Sequence, residues 1–293
     1  MLDYLQKDID ITQLSNFKTK AKARFYYEIN SEDDLDRLSS IYDFTKKNNL
    51  GFLIIWWWTN LLFWFDIFNG VVIKNNLLWF KYLKESSILK TYSANLISDI
   101  AFDLENSLNQ KIWHRFIWLP GSVWWAVFWN AWCFWLETEN NFLEAKVLDI
   151  ENNHILTFNK LDSKFEYRNS IFKKEWKYFI ISILFDLSKK IEKYHSDVDN
   201  IYFRENKQPK WNSWGSFFKN PNKDFSAWKL IEEVWLKWYR LGTAYISDLH
   251  ANFVMSDDNW NYRDLLDLIS LVRDKVKEKY NIFLDNEVRI ITN

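Results

Sequence analysis

The sequence predicts an α+β protein, and three observations carry that prediction. Stretches with apolar residues at helical spacing alternate with short apolar runs of strand length. One pair of those runs flanks a polar turn of hairpin type, so part of the sheet is expected to be antiparallel. The chain also changes character near Ser188, from apolar strand to a charged stretch, which divides its 293 residues into about two domains.

Residues 31–49 carry the first helix. Ser31 with Asp34 makes a capping box, and Leu35, Leu38, Ile41 and Tyr42 recur at helical spacing. Gly51 introduces GFLII, a buried strand that delivers the chain to a turn at 56–60, WWWTN. Residues 71–74 and 88–92 read as further strands, and Ile97, Ile100, Ala101, Leu104 and Leu108 mark one face of a second helix. Residues 143–150 and 154–158 flank Glu151-Asn152-Asn153 as a hairpin, and 178–187 is a strong apolar strand. After Ser188, the charged KKIEKYHSDVDN reads as helix and leads into a polar loop at 204–215. A helix at 226–237, a strand near 239–246, a long helix at 262–280 and a closing strand at 288–292 complete the chain.

Bulk properties exclude several classes. The net charge is −1, so nothing in the charge balance recruits nucleic acid or an anionic membrane. A lone Cys133 rules out a disulfide framework and suits a reducing cytoplasm. The four histidines, at 114, 154, 195 and 250, lack metal-ligand spacing. The opening MLDYLQKDIDITQ mixes acids with polar residues and is no signal peptide. The apolar stretch 52–65 holds Thr59 and Asn60 and stops at Asp66, short of the roughly 20 residues of a membrane span.

Residues 118–135, WLPGSVWWAVFWNAWCFW, are at odds with themselves. Pro120, Gly121, Ser122, Ala126, Asn130 and Ala131 suit a loop that presses backbone against a ligand. Between them stand Trp118, Trp124, Trp125, Trp129, Trp132 and Trp135, the bulkiest side chains available. A backbone N–H reaches a phosphate only where no side chain intervenes, and with each Trp replaced by Gly this becomes a nucleotide-cradling loop. Composition leans the same way. There are 19 Trp and 5 Gly, against a usual glycine share of about 7%, and the Trp fall at turns and in runs. UGA is read as glycine in some bacterial lineages, and translating it as Trp gives this pattern. The alternative is a Trp-rich chain that uses its aromatics for packing or membrane contact.

Three polar clusters stand apart from these loops: 166–170 (EYRNS), 215–221 (GSFFKNP) preceded by Arg204, Lys207, Gln208 and Pro209, and 286–289 (NEVR). Taken alone, Arg168 reads as a surface ion pair, Ser216 as turn chemistry and Glu287 with Arg289 as a solvated pair on an edge strand. Spacing ties none of the three together. The residues by themselves reach a nucleotide-binding α+β enzyme with candidate Arg, Ser and Glu.

The blocks together resemble the UDP-N-acetylenolpyruvoylglucosamine reductase family. With Trp read as Gly, IIWWWTNLLF (54–63) looks like its first flavin loop, and residues 117–135 like its second. EYRNSIF (166–172), RENKQP (204–209), GSFFKNP (215–221), AWKLIE (227–232), HANF (250–253) and NEVRI (286–290) match family blocks in family order, from about Phe17 onward. Essentially every Trp falls where the family has, or readily accepts, Gly, including the isolated Trp113, Trp228 and Trp238.

The resemblance implies a PCMH-type FAD-binding domain over residues 1–188, in two parts of about 1–82 and 83–188. A smaller α+β substrate-binding domain would follow over 189–293, its last strand returning to the active site. It implies bound FAD, NADPH as reductant and UDP-N-acetylglucosamine enolpyruvate as substrate, in a cytoplasmic monomer that makes UDP-N-acetylmuramate for peptidoglycan. By resemblance FAD is held by Trp56, Trp57, Trp58, Thr59, Asn60 and Leu61, and by Pro120, Gly121, Ser122, Val123, Trp124, Trp125 and Asn130. Ser216 becomes the proton donor, Arg168 and Glu287 the partners of the enolic carboxylate, and Tyr167, Lys207 and Asn220 substrate contacts; no metal is implied. Thr243 stands where the family usually has Gly, FKTKAKA differs from the commoner form, and the short stretch 221–227 resembles the compact subclass. Two other readings differ in class: another FAD-dependent oxidoreductase on the same scaffold, and the Trp-rich non-enzyme.

Overall fold

The structure, a computed structural model, describes every residue except 1, 16, 56–60, 189–201, 204–205, 210–212, 223 and 258–259, together with the side chains of 213 and 214. The first part of the chain gives β1 (Gln6–Asp10), β2 (Lys22–Ile29), α1 (Leu38–Lys47), β3 (Gly51–Ile55), β4 (Leu61–Phe63) and β5 (Ile67–Asn75). Four of these strands form a sheet in the order β1-β2-β5-β3, with β2, β5 and β3 parallel. Strand β5 is covered on both faces, which is why Val71-Val72-Ile73 is apolar without alternation. Val71 and Ile73 turn toward Leu38 and Ile41 of α1, while Val72 turns the other way with Leu53 and Ile55. The expected capping box is present, and it opens a 3-10 turn, Glu32–Arg37, that runs into α1.

The middle of the chain gives β6 (Phe80–Leu83), β7 (Ile88–Tyr92), α2 (Ile97–Asn106), α3 (Val123–Trp129), β8 (Trp132–Cys133), β9 (Leu136–Glu137), α4 (Thr138–Asn141), β10 (Phe142–Asp149), β11 (His154–Asn159), α5 (Ile171–Lys174) and β12 (Tyr178–Asp186). An antiparallel sheet, β11-β10-β12-β7-β6, is covered by α2 and α3. Helix α2 has 10 residues, too few to persist alone in water, and packing holds it. Ile97, Ile100 and Leu104 are fully buried, each contributing roughly 1.5–3 kcal/mol of apolar transfer. One core runs through both sheets, from Phe25 and Ile54 to Phe179 and Phe185.

The last part gives β13 (Ser213–Ser216), α6 (Ala227–Glu233), β14 (Arg240–Leu241), β15 (Ala244–Ile246), β16 (Phe253–Ser256), α7 (Tyr262–Tyr280) and β17 (Arg289–Ile291). The sheet β13-β16-β15-β14 packs on α6 and α7 over a second core. Strand β17 leaves this unit and pairs in parallel with β4, setting Arg289 opposite Leu61 and Ile291 opposite Phe63.

Several expectations change. The strand near 239–246 is two strands around a tight turn at Gly242 and Thr243, with Leu241 opposite Ala244. Gly242 has φ +57°, and a Cβ there would lie 2.3 Å from a carboxylate oxygen of Asp264, which accepts from both Thr243 N and Oγ1. The helix expected over 226–237 ends at Glu233, because Trp235 takes φ +61° just beyond it. The stretch 118–135 is not a continuous loop but contains α3, capped by Ser122. Strand β2 and the short strands β1, β4, β6, β8, β9, β13 and β16 come on top of the elements expected from the sequence. The segment 189–200, expected to be helical, lies outside the described residues. No helix among the described residues is long and apolar enough to cross a membrane, and 52–65 instead contributes β3 and β4 on either side of 56–60.

Candidate active site

The site is built where the three polar clusters meet. Residues 216–219 lie beside 285–287: Glu287 N donates to Phe217 O at 2.8 Å, Lys219 N to Asp285 O at 2.9 Å, and Phe218 bridges Asn286. On the other side Asn252 holds the same segment with its backbone and its amide. Its carbonyl accepts from Phe217 N at 2.8 Å, its Oδ1 accepts from Phe218 N at 3.0 Å, and its Nδ2 donates to Phe218 O at 2.8 Å. Ser216 sits at a register break between β13 and β16, after Gly215 at φ +77°. A bulge with a left-handed residue re-aims the residue that follows. Nothing stands within 4 Å of where a Gly215 Cβ would be, so the requirement there is conformational.

Arg168 arrives from the other side. Glu166 and Asn169 exchange both backbone hydrogen bonds, leaving Tyr167 and Arg168 at the tip of a tight turn, with Arg168 at φ +55°. Three bonds tie this turn to α3 and the chain just after it: Ser170 Oγ to Phe128 O at 2.8 Å, Asn130 Nδ2 to Glu166 O at 3.3 Å and Arg168 Nη1 to Trp132 O at 3.5 Å. Arg168 Nη2 then stands 3.1 Å from Glu287 Oε1, with the two side chains 13% and 11% exposed. Arg168 is therefore not a surface pair, and the partner of Glu287 is Arg168 rather than Arg289. Arg168 Nε is buried with no hydrogen-bond partner among the described residues. A buried guanidinium donor without an acceptor is costly, and it fits an anionic ligand.

More cations surround the pair. Lys173 Nζ donates to Arg168 O at 3.0 Å and lies 3.8 Å from the ring centre of Trp129, and Lys219 Nζ lies 5.8 Å from the same ring. Burial, and then the charge of Lys219, push the Lys173 ammonium down to about 8. Burial pushes the Arg289 guanidinium down to about 10, over the ring of Trp176 at 3.5 Å. The charges of Lys219, Arg289 and Arg168 all act on Lys173 beside Glu287, a gathering of cations that suits an anion.

Tyr167 lies beside Arg168, whose guanidinium carbon is 5.8 Å from its ring centre. Asn220 uses its Oδ1 to accept from Ala227 N at 3.0 Å, and Lys207 is exposed. Asn130 is a brace: at φ +43° it ends α3, its Oδ1 accepts from Glu139 N, and its Nδ2 reaches Glu137 and Glu139. Burial, with Glu139 alongside, raises the Glu137 carboxyl. Leu61 opens β4, while Trp56, Trp57, Trp58, Thr59, Asn60 and Arg204 lie outside the described residues. Pro120 and Gly121 precede α3, whose first donors are already engaged: Val123 N by Asn95 O, Trp124 N by Ser93 O and Trp125 N by Ser122 Oγ. Trp124 is buried edge-on against Phe179, and the Trp125 ring lies 3.1 Å from where a Gly121 Cβ would be. With these indoles in place, the ground at the start of α3 is packed core, not a cofactor cradle. Small residues at 124 and 125 would open it. No group of three His, Cys, Asp or Glu residues suited to a metal occurs among the described residues.

Lys173, Lys219 and Asn252 join the site without having been expected there. All three lie within or just beyond the quoted blocks, but no spacing rule singles them out.

An arginine fork locked to a nearly buried carboxylate, beside a serine on a bulged strand, gives this α+β protein a site suited to an anion. Residues 207–291 match the family model described as UDP-N-acetylenolpyruvoylglucosamine reductase, C-terminal domain. The chain is 31% identical to the UDP-N-acetylenolpyruvoylglucosamine reductase of Chlamydia felis, over 98% of this chain and 94% of that one. It is 40% identical to that of Fervidobacterium nodosum over 175 residues, 59% of this chain and 56% of that one. Its fold matches the crystal structure of the reductase from Thermus caldophilus with a TM-score of 0.73 at 18% identity, covering 99% of this chain and 100% of that one. The chain belongs to the UDP-N-acetylenolpyruvoylglucosamine reductase family.

Proposed function

We propose that the chain reduces UDP-N-acetylglucosamine enolpyruvate to UDP-N-acetylmuramate, with FAD bound and NADPH as reductant. The observation that carries this reading is the Arg168–Glu287 pair, held beside the strand of Ser216 by the return of β17 to β4. When bound, FAD supplies the hydride, taken from NADPH and passed to the methylene carbon of the enolpyruvyl group. The chain's own residues manage the charge and the proton. The Arg168 fork, whose Nε has no partner among the described residues, takes the substrate carboxylate as negative charge builds on it. Glu287, held against that fork, is the second partner of the enolic carboxylate and keeps the fork aimed at it. Ser216 gives its proton to the adjacent carbon; a neutral hydroxyl is a weak acid, so it must be fixed in place, as its strand is. Tyr167, Lys173 and Lys219 line the approach, with Lys207 and Asn220 as further contacts for phosphate and sugar. Residues 1–188 would hold FAD and 189–293 the substrate. A monomer belongs to the same proposal, and the lone Cys133 supports the cytoplasm.

The reading extends to the tryptophans, many of which stand for glycine in the working protein. Trp118, Trp135, Trp235 and Trp238 have φ of +65°, +65°, +61° and +71°, where a bulky side chain costs roughly 1–2 kcal/mol and glycine costs nothing. All four are exposed, Trp235 at 89%, so packing does not offset the strain. Trp113 is fully buried with no partner for its Nε1 among the described residues. Glycine at 124 and 125 would also clear the start of α3 for the flavin. The test is direct. Expressed with glycine at these positions, the protein should purify yellow and oxidise NADPH only when the enolpyruvyl sugar nucleotide is supplied. Turnover that continues unchanged without that substrate would falsify the assignment.

A further inference from the structure

Helix α7 is anchored in the second core by Leu265, Leu268, Ile269, Val272 and Val276. From its surface Arg273 reaches sideways, with Asp274 and Asp285 near enough to act on its charge, but its hydrogen bonds to described residues go to a carbonyl and an amide oxygen. Nε donates to Leu284 O at 2.9 Å, and Nη2 donates to Asn286 Oδ1 at 2.8 Å. The guanidinium carbon lies 5.9 Å from the ring centre of Phe218 and 5.0 Å from that of Phe283. The chain it holds, between Asn281 at the end of α7 and Arg289 at the start of β17, has no helix and no strand of its own. Glu287 lies in this irregular stretch, next to Asn286. On the facing strand, Phe218 bridges Asn286, and Phe217 O accepts from Glu287 N at 2.8 Å. One side chain therefore touches both the segment that carries Ser216 and the segment that carries Glu287.

We propose that Arg273 is a positioning residue, which fixes Glu287 against the Ser216 strand by holding Leu284 and Asn286 on a rigid helix; this rests on the function proposed above. The chemistry selects arginine. A planar fork donates in two fixed directions at once, to a carbonyl and to an amide oxygen, whereas a lysine ammonium has no such fixed geometry. The aromatic faces of Phe218 and Phe283 complete the seat for a delocalised cation. A small shift of a reacting group costs far more in rate than in binding, so the effect should fall on the proton-transfer half of the reaction.

The test uses the flavin-loaded protein with glycine at the tryptophan positions, and follows the two half-reactions by flavin absorbance. Arg273→Met should leave reduction by NADPH within about twofold and slow re-oxidation by the enolpyruvyl sugar nucleotide by at least about tenfold, with little change in the substrate concentration for half-saturation. Asn286→Ala should act in the same direction. The double variant should be no slower than Arg273→Met, because the two act through one contact. Arg273→Lys should recover only part of the rate, and it carries the test with Asn286→Ala should Arg273→Met fail to fold. Equal loss in both half-reactions, no loss in either, or effects of the two substitutions that multiply would each overturn the inference. If the parent protein itself is not re-oxidised by the sugar nucleotide, the proposed function falls, and the inference with it; a parent that turns over beside an unaffected Arg273 variant removes the inference alone.

Discussion

Arg168 and Glu287 meet at 3.1 Å although one stands on a tight turn beside α3 and the other just before β17. Both side chains are nearly out of water, so the pair behaves as a buried one. Removing either partner strands the other's charge, which typically costs 3–5 kcal/mol. Glu287→Ala should therefore lower the melting temperature and slow re-oxidation of the flavin together. Arg168→Met with Glu287→Leu should regain stability and remain inactive, as measured by thermal unfolding beside turnover. A double variant that recovers activity would remove the pair from the mechanism.

Ser216 offers a cleaner separation. Ser216→Ala deletes one hydroxyl from a half-buried position and should barely affect stability. Reduction of the flavin by NADPH should proceed normally, and the step that consumes the enolpyruvyl substrate should slow by orders of magnitude. Stopped-flow absorbance reads the two steps separately; equal loss in both would count against Ser216 as the acid.

The pH profile should report Lys173. Its ammonium is held down to about 8 by burial and by Lys219, with Glu287 opposing, so it is charged below that pH and neutral above it. Affinity for the anionic substrate should then weaken as pH rises through about 8, and Lys173→Met should remove that inflection. Stability runs the other way. The unfolded chain keeps its proton up to the ordinary lysine value of 10.5 while the folded chain has already lost it, so this residue's contribution to stability should rise with pH between about 8 and 10.5. Unfolding midpoints of the two proteins across that window give the comparison.

The left-handed tryptophans make a prediction on the printed sequence itself. Trp235→Gly should raise stability by about 1 kcal/mol, since the relief of strain exceeds the extra chain entropy of glycine and almost no packing is lost at 89% exposure. Trp238→Gly should do the same. In the coding DNA these tryptophans should be TGA, and the mass of the natural protein should fall below that of the printed chain. Mostly TGG codons would sink the idea.

Much of the fold was legible because periodicity reports burial. The apolar spacing of α1, α2 and α7 and the paired runs of β10 and β11 announced themselves through the faces they bury. Strand β2 was missed although its burial alternates in part, since Lys22, Arg24 and Glu28 make KARFYYEI look like surface. Strands of two to four residues such as β8 and β16 give no period to read. The blocks that carry Arg168, Ser216 and Glu287 were legible one by one. Their convergence was not, because it depends on a parallel pairing between β4 and β17, and strand pairing leaves no local trace. Lys173 was invisible for a related reason: its environment is made by Lys219, Trp129 and Arg168, from three separate stretches.

That pairing of β4 with β17 has a consequence in time as well as in space. Beside it, Asn69 N donates to Asn293 Oδ1 across 224 positions of chain. Contacts of such range form late, because the entropy of closing the intervening loop is lost before the contact can repay it. A ribosome will therefore have released the sheets β1-β2-β5-β3 and β11-β10-β12-β7-β6 long before Glu287 emerges. During that interval Arg168 is without its carboxylate partner, so the pair at 3.1 Å is completed only after the strand that follows Glu287 has found its place beside β4.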